Sequence, residues 1–369
     1  MDFCPRYIEP VVEYESKLRI ELYQSAVKLF ESKMFEESFR VLLNYINQEM
    51  AQSCEKERNH WVIPHGSLIV EIRITPDQAV EITAPFVKLP AERRAPLLRQ
   101  ALEFNTHPLT LPRLILEGDG LSFFYRTPLS LAEPFKMYGV IHEICINGDS
   151  FDDEYVTKFG AVPLREKQVT HLPKEQVDRS WRIYQELLSE AKQYSDYYAQ
   201  KRWHGFDFEI QGIALMRIDH AVAPQGYLRT RIERSINHVW AHRPAEEIAN
   251  LLRRDLDEYR KLERAAFDRD FYKTTFFVNA KKTAEIGACQ KNMSQRWAWA
   301  QEDRAHRNAQ GVAFCYLFAA YNLLYSFFIP PKLQAELVGT LKAMSGKKWE
   351  EAGELAWANF QKIMDPAYA

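Results

Sequence analysis

The chain has 369 residues, with 48 basic against 50 acidic side chains, a net charge of −2 and 13% aromatic residues. At 46% hydrophobic, with only 14 Gly and 18 Pro, it excludes disorder and fibrous architectures, and at ~150 residues per domain its length predicts two domains. Balanced charge leaves no global electrostatic reason to bind nucleic acid or an anionic membrane.

The first residues, with Asp2 and Glu9 early and no continuous apolar run, do not read as a secretory signal. Five scattered cysteines (Cys4, Cys54, Cys145, Cys289, Cys315) form no CxxC pair. A disulfide framework and a Cys-rich zinc site are therefore not expected, and a reducing cytoplasm is. Residues 17 to 53 carry Leu18, Leu22, Ala26, Leu29 and Phe30, then Phe35, Phe39, Leu42 and Leu43, at helical spacing. They predict one amphipathic helix or a helix pair. AVKLFESKMFEESFRVLLNYI also looks like one tetratricopeptide hairpin, but no copy follows at the 34-residue period.

The period then changes to two. Leu68, Val70, Ile72 and Ile74 alternate with Ile69, Glu71 and Arg73, and after Thr75-Pro76-Asp77 the positions Val80, Ile82 and Ala84 alternate again, predicting an antiparallel pair. Residues 91 to 104 return to helix. RLILEGDGLSFFYRT (113 to 127) predicts a hairpin about Gly118-Asp119-Gly120. From Glu133 a helix is expected to stop at Gly148, with Ser150 and Asp153 capping a further turn. Residues 17 to 160 thus read α–β–β–α–β–β–α, with an extra strand near Phe86 to Leu89.

LLRQALEFNTHPLTLPRLILEGDGLSFFYRTPL, with Leu98, Leu102 and Asn105 closing a helix, Glu117-Gly118-Asp119-Gly120 ending a strand and Leu129 before the last helix, resembles the YbjN family and the broader type III secretion chaperone-like fold. The resemblance covers about residues 60 to 162. It implies an antiparallel sheet flanked by helices, often dimeric in secretion chaperones, that binds an extended segment of a partner protein. It carries over no catalytic residue.

The second half reads as helical. After a linker at Val169 to Lys174, helices are expected at 175 to 203, 226 to 242, 245 to 270, 281 to 306, 310 to 329, 332 to 345 and 347 to 364. FDFEIQGIALMRI (206 to 218) stays open between strand and helix. Val312 to Ile329 is uncharged and about long enough to cross a bilayer. A buried central helix and a single membrane span both fit it. Asn322, Ser326 and three tyrosines favour the buried helix.

For chemistry, His238 and His242 at i and i+4 are the metal candidate, with Glu246, Glu247 and His220 as further ligands. The competing reading is cationic capping of a helix C-terminus. Glu302 with His306 repeats the spacing on a charged, solvated face. The Asp149, Asp152, Asp153, Glu154 cluster lacks calcium-loop spacing and reads as capping. No nucleophile elbow or phosphate loop occurs. Residues 226 to 270 hold nine Arg and one Lys against nine acids, so no phosphate track forms.

The expected fold class is α+β, an antiparallel sheet flanked by helices (type III secretion chaperone-like) followed by an all-α helical bundle. The expected domains are an N-terminal helical segment 1–59, an α+β domain 60–165 and a helical domain 170–369. The expected function is non-enzymatic protein binding in the cytoplasm, without cofactor. Its partner would be a protein or peptide segment, the chain's own helical domain being one occupant, with a homodimer as one assembly and neither nucleic acid nor membrane as partner. Ile69, Phe124 and Tyr125 are the sheet residues expected to carry recognition. A metal-dependent enzyme at His238 and His242 is the alternative.

Overall fold

The computed structural model describes residues 2–368. The chain is α+β and divides into two compact units, each discontinuous in sequence. One, the α+β unit, contains residues 16–171 and 272–280; the other, the helical unit, contains residues 2–15, 172–271 and 281–368.

The α+β unit begins with α1 (Ile20–Glu31) and α2 (Phe35–Ser53), then β1 (Glu55–Glu57), β2 (His60–His65), β3 (Leu68–Ile74) and β4 (Ala79–Lys88). It continues with α3 (Arg94–Thr106), β5 (Arg113–Glu117), β6 (Gly120–Pro128), α4 (Pro134–Phe159), β7 (Val162–Pro163) and β8 (Thr170–His171). The sheet is antiparallel in the order β1-β2-β3-β4-β6-β5, with β7 added to the far end of β4. Alternation decides its faces: Trp61, Ile63, Val70, Ile72, Val80, Ile82, Leu114, Leu121 and Phe123 share one core with residues of all four helices, among them Ala26, Phe39, Leu42, Leu97 and Ile141.

Several expectations change on this ground. α1 and α2 are not a separate segment 1–59, because their apolar stripe is buried in the sheet's own core, while residues 2–15 belong to the helical unit. Strand β2 was hidden in HWVIPH by its proline and two histidines. Pro64 is tolerated there because β1 pairs only with residues 60 and 61, so no ladder hydrogen bond is lost. The extra strand near Phe86 is the end of β4. Gly148 does not stop α4. It is the point where Leu68 of β3 approaches the helix, and a Cβ there would lie 2.4 Å from Leu68 Cδ2. The helix ends at Gly160, whose φ of +72° suits a left-handed C-terminal cap.

The helical unit comprises α5 (Lys174–Gln200), α6 (His204–Val222), α7 (Gly226–His238), α8 (Ala245–Arg260), α9 (Arg264–Arg269), α10 (Ile286–Ala305), α11 (Ala309–Ser326), α12 (Pro331–Met344) and α13 (Trp349–Ile363). The expected helix 245 to 270 is thus two, α8 and α9. The open segment 206 to 218 is helix. Its periodicity was masked because α6 is buried on nearly every side, Asp207, Gln211 and Arg217 included. Each of the three is hydrogen-bonded, although Gln211 Oε1 accepts no bond among the described residues. Asp207 accepts from Ser195 Oγ (2.7 Å), Gln211 Nε2 (2.9 Å) and Arg253 Nη2 (2.5 Å), joining α5, α6 and α8. Arg217 bonds Glu190 (2.5 Å) and the Arg6 carbonyl, while Arg6 N donates to Glu190 Oε1 (3.1 Å), which pins the N-terminal segment to α5 and α6.

Helix α11 lies among α6, α10, α12 and α13 and is almost entirely buried. No helix among the described residues is long and apolar enough to cross a membrane. α13 packs closely on α11 at Gly353, where a Cβ would come within 2.5 Å of the Ala309 carbonyl oxygen. Because that neighbour is backbone and cannot rotate away, Gly353→Ala is expected to destabilise the protein by about 1–3 kcal/mol. Thermal unfolding checks this; an unshifted transition would contradict the close approach.

Candidate functional site

The sheet face away from the unit's helices carries Ile69 and Phe124, both half-buried, but not Tyr125. Successive strand residues point to opposite faces, so Tyr125 turns toward the helix-covered core, where it packs. Phe124 stands in a row with Val62, Glu71, Thr83 and Arg113, and Ile69 faces Pro64. Charges interrupt this face. His60 Nε2 lies 2.8 Å from Glu71, which also pairs with Arg73, and Arg126 pairs with Asp77 and lies 3.6 Å from Glu81. The three residues expected to form one recognition patch therefore do not.

His238 and His242 are not brought onto one helical face. α7 ends at His238; Val239 and Trp240 turn, and His242 lies exposed in the bend before Arg243-Pro244. Buried Val239, whose N–H bonds the Ile236 carbonyl (3.0 Å), tightens the chain where the i, i+4 spacing needed another helical turn. His238 instead lies 3.6 Å from Asp255, which accepts from Ser235. His220 is half-buried, with its ring Nε2 3.3 Å from the Tyr7 hydroxyl, and its desolvation pushes its pKa down to about 4. Among the described residues no group of three or more His, Cys, Asp or Glu could hold a metal ion.

What the α+β unit does assemble is a seat for an extended strand of chain. Residues 272–280 form a strap whose first part, β9 (Tyr272–Lys273), pairs antiparallel with β8. The tight turn between β2 and β3 then reads the strap's backbone. Gly66 N–H donates to the Thr275 carbonyl (2.9 Å), and the Gly66 carbonyl accepts from Thr274 Oγ1 (2.7 Å). His65, fully buried, accepts at Nδ1 from two successive N–H groups, Phe277 (3.1 Å) and Val278 (3.4 Å). That nitrogen therefore carries no proton. The His65 ring also stands edge-on to Phe276, 5.4 Å between centres.

Two asparagines complete the seat. Asn47 leaves helical geometry inside α2 (φ −162°, ψ 97°), and its Nδ2 reaches the Phe276 carbonyl at 3.3 Å. Asn279 at the far end bonds Ser16 Oγ (2.8 Å) and Lys17 N (3.3 Å). Between these polar clamps Phe277 and Val278 are completely buried in the unit's core. The turn itself demands glycine. Gly66 has φ +58°, and a Cβ on it would lie 1.8 Å from Asp149 Oδ1, the atom that accepts from Ser67 N (2.7 Å) and Ser67 Oγ (3.1 Å).

Sequence reading missed His65, Gly66, Asn47 and the strap. A signal was present in the strap, because Thr274-Thr275-Phe276-Phe277-Val278 is a β-branched and aromatic run between two helical stretches.

The acidic cluster of α4 backs this turn and is not a helix cap. Asp152 is buried and shares Lys167 with Asp153 (3.3 and 2.5 Å). Burial, with the Asp153 charge adding to it, pushes the Asp152 carboxyl up to about 7 against the pull of Lys167. The folded state thus holds this proton more tightly than the unfolded chain. Its stabilising contribution is complete below the ordinary carboxylate value and is lost as pH rises through about 7. Asp152→Asn is expected to gain stability relative to the unsubstituted protein as pH rises from about 4 to about 8. Urea unfolding at both pH values measures this, and parallel pH dependences would contradict it.

With the site described, comparison of the chain with family models, with curated proteins and with solved structures gives no match.

Proposed function

We propose that the protein is a polypeptide-holding protein without enzymatic activity, whose α+β unit grips an extended segment through backbone hydrogen bonds and a buried apolar pair. The reading includes a secretion chaperone-like character for this unit, in keeping with its resemblance to the YbjN family. The observation that carries it is the seat of the strap. Seven hydrogen bonds link residues 274–279 to Ser16, Lys17, Asn47, His65 and Gly66, and four of them involve strap main-chain atoms. Such contacts accept many sequences, while the buried Phe277 and Val278 select apolar residues at two adjacent positions. The element order α–α–β–β–β–β–α–β–β–α, with all helices on one sheet face, supports the same reading.

The test frees the seat and offers it a substitute. A variant carrying Phe277→Ala and Val278→Ala, checked for folding by circular dichroism, is expected to bind a labelled peptide spanning Tyr272–Ala280, read by fluorescence anisotropy. The unsubstituted protein, its seat filled, should bind the peptide at least ~10-fold more weakly. Adding His65→Ala to the variant should weaken binding by about 10-fold or more, since two hydrogen bonds worth ~1 kcal/mol each are lost. A folded variant that does not take up the peptide rejects the proposal.

A further inference from the structure

A cleft of about 620 Å³ opens within the helical unit where the start of α6, the end of α10 and the start of α11 meet. Its wall is aromatic: Phe206 and Phe314 lie deeper, and the indoles of Trp203 and Trp299 are 43% and 40% exposed. Exposed tryptophan at a concave site suits a ligand with an apolar body.

The charges in the cleft set the sign of that ligand. Glu209 and Arg296 are bonded to each other, and the Arg296 guanidinium lies 3.7 Å from the centre of the Phe318 ring, so this pair is internally spent. Glu302 and Asp303 remain against Arg202 and His306, both exposed. Among the described residues neither acid forms an ion pair with Lys or Arg. Asp303 is held in place. Its Oδ1 accepts from Asn308 Nδ2 (2.7 Å), and Asn308 also caps α11 by accepting from Gly311 N (3.1 Å). Its Oδ2 lies over Gly311, where a Cβ would come within 2.3 Å, so the glycine leaves room for the carboxylate. A fixed carboxylate without a Lys or Arg partner, with the His306 ring acting on it, stands beside exposed indoles and is the complement of an organic cation.

We propose that this cleft binds a free organic cation, an amine or quaternary ammonium with an apolar body, against the indoles of Trp203 and Trp299 with the Asp303 carboxylate as counter-ion. Burial, with the Glu302 charge adding to it, holds the Asp303 carboxyl above the usual carboxylate range against the Asn308 hydrogen bond and the His306 ring, and a bound cation would bring it down. The rings already serve this chemistry within the chain: Lys201 Nζ lies 4.7 Å from the centre of Trp203, and the Arg296 guanidinium 4.9 Å from that of Trp299. An anion would meet Glu302 and Asp303 instead.

Isothermal titration of the full chain with choline and with n-butylammonium tests the proposal, the uncharged isostere 3,3-dimethylbutan-1-ol serving as control. At least one cation is expected to bind at one equivalent, with the alcohol at least ~10-fold weaker. Asp303→Asn, which keeps an acceptor for Asn308, should weaken the cation by about 10-fold or more. Lys201→Ala, at an exposed position, removes the internal competitor and should tighten binding about 2–5-fold. Failure of both cations to bind, equal binding of the alcohol, or indifference to Asp303→Asn in a folded variant overturns the proposal, whichever way the strap experiment falls.

Discussion

Two adjacent backbone N–H groups, those of Phe277 and Val278, sit in an apolar interior that holds no strand partner for them. Leaving either unpaired there would cost about 1–3 kcal/mol. His65 removes that cost with one atom, because an unprotonated Nδ1 accepts from both. Much of the α+β unit is arranged around this contact. The tight turn places Gly66 against the strap, Asp149 braces the turn from α4, and Asn47 breaks helical geometry in α2 to meet the next carbonyl. Apolar burial of Phe277 and Val278 supplies the driving force, and the polar contacts fix the register in which it is collected.

The helical unit solves a related problem differently. α6 and α11 are surrounded by other helices, so polar residues on them must find partners inside the fold. Asp207 and Arg217 each do so through several bonds at once. Such groups favour one arrangement of neighbouring helices over others, because a shifted packing would strand a buried charge. The Glu209–Arg296 pair belongs to the same class but borders the cleft, where Glu302 and Asp303 stand without a Lys or Arg partner.

Much of the sheet was legible from the chain alone, since β3, β4, β5 and β6 each alternate over a half-buried face and the alternation survives without knowledge of partners. The same rule, applied strictly, separates Phe124 from Tyr125, and grouping them ignored it. α4 was cut short at Gly148 because a glycine reads locally as a stop, whereas its reason is Leu68, which lies far off in sequence. The histidine pair failed at a boundary, since helix ends are set by packing of residues such as Val239. The strap was illegible as a site for a different reason: its contacts with His65 span 212 and 213 residues, and no local pattern records a partner at that distance.

The α+β unit takes its last pieces from a stretch of chain that follows the whole of Leu172–Phe271. During translation the sheet and its four helices are therefore complete well before Phe277 and Val278 leave the ribosome. At ~5–20 residues per second the interval is roughly 5–20 s. Until then Phe277 and Val278 cannot take their place beside His65, so completion of the first-made core waits on the emergence of a late segment.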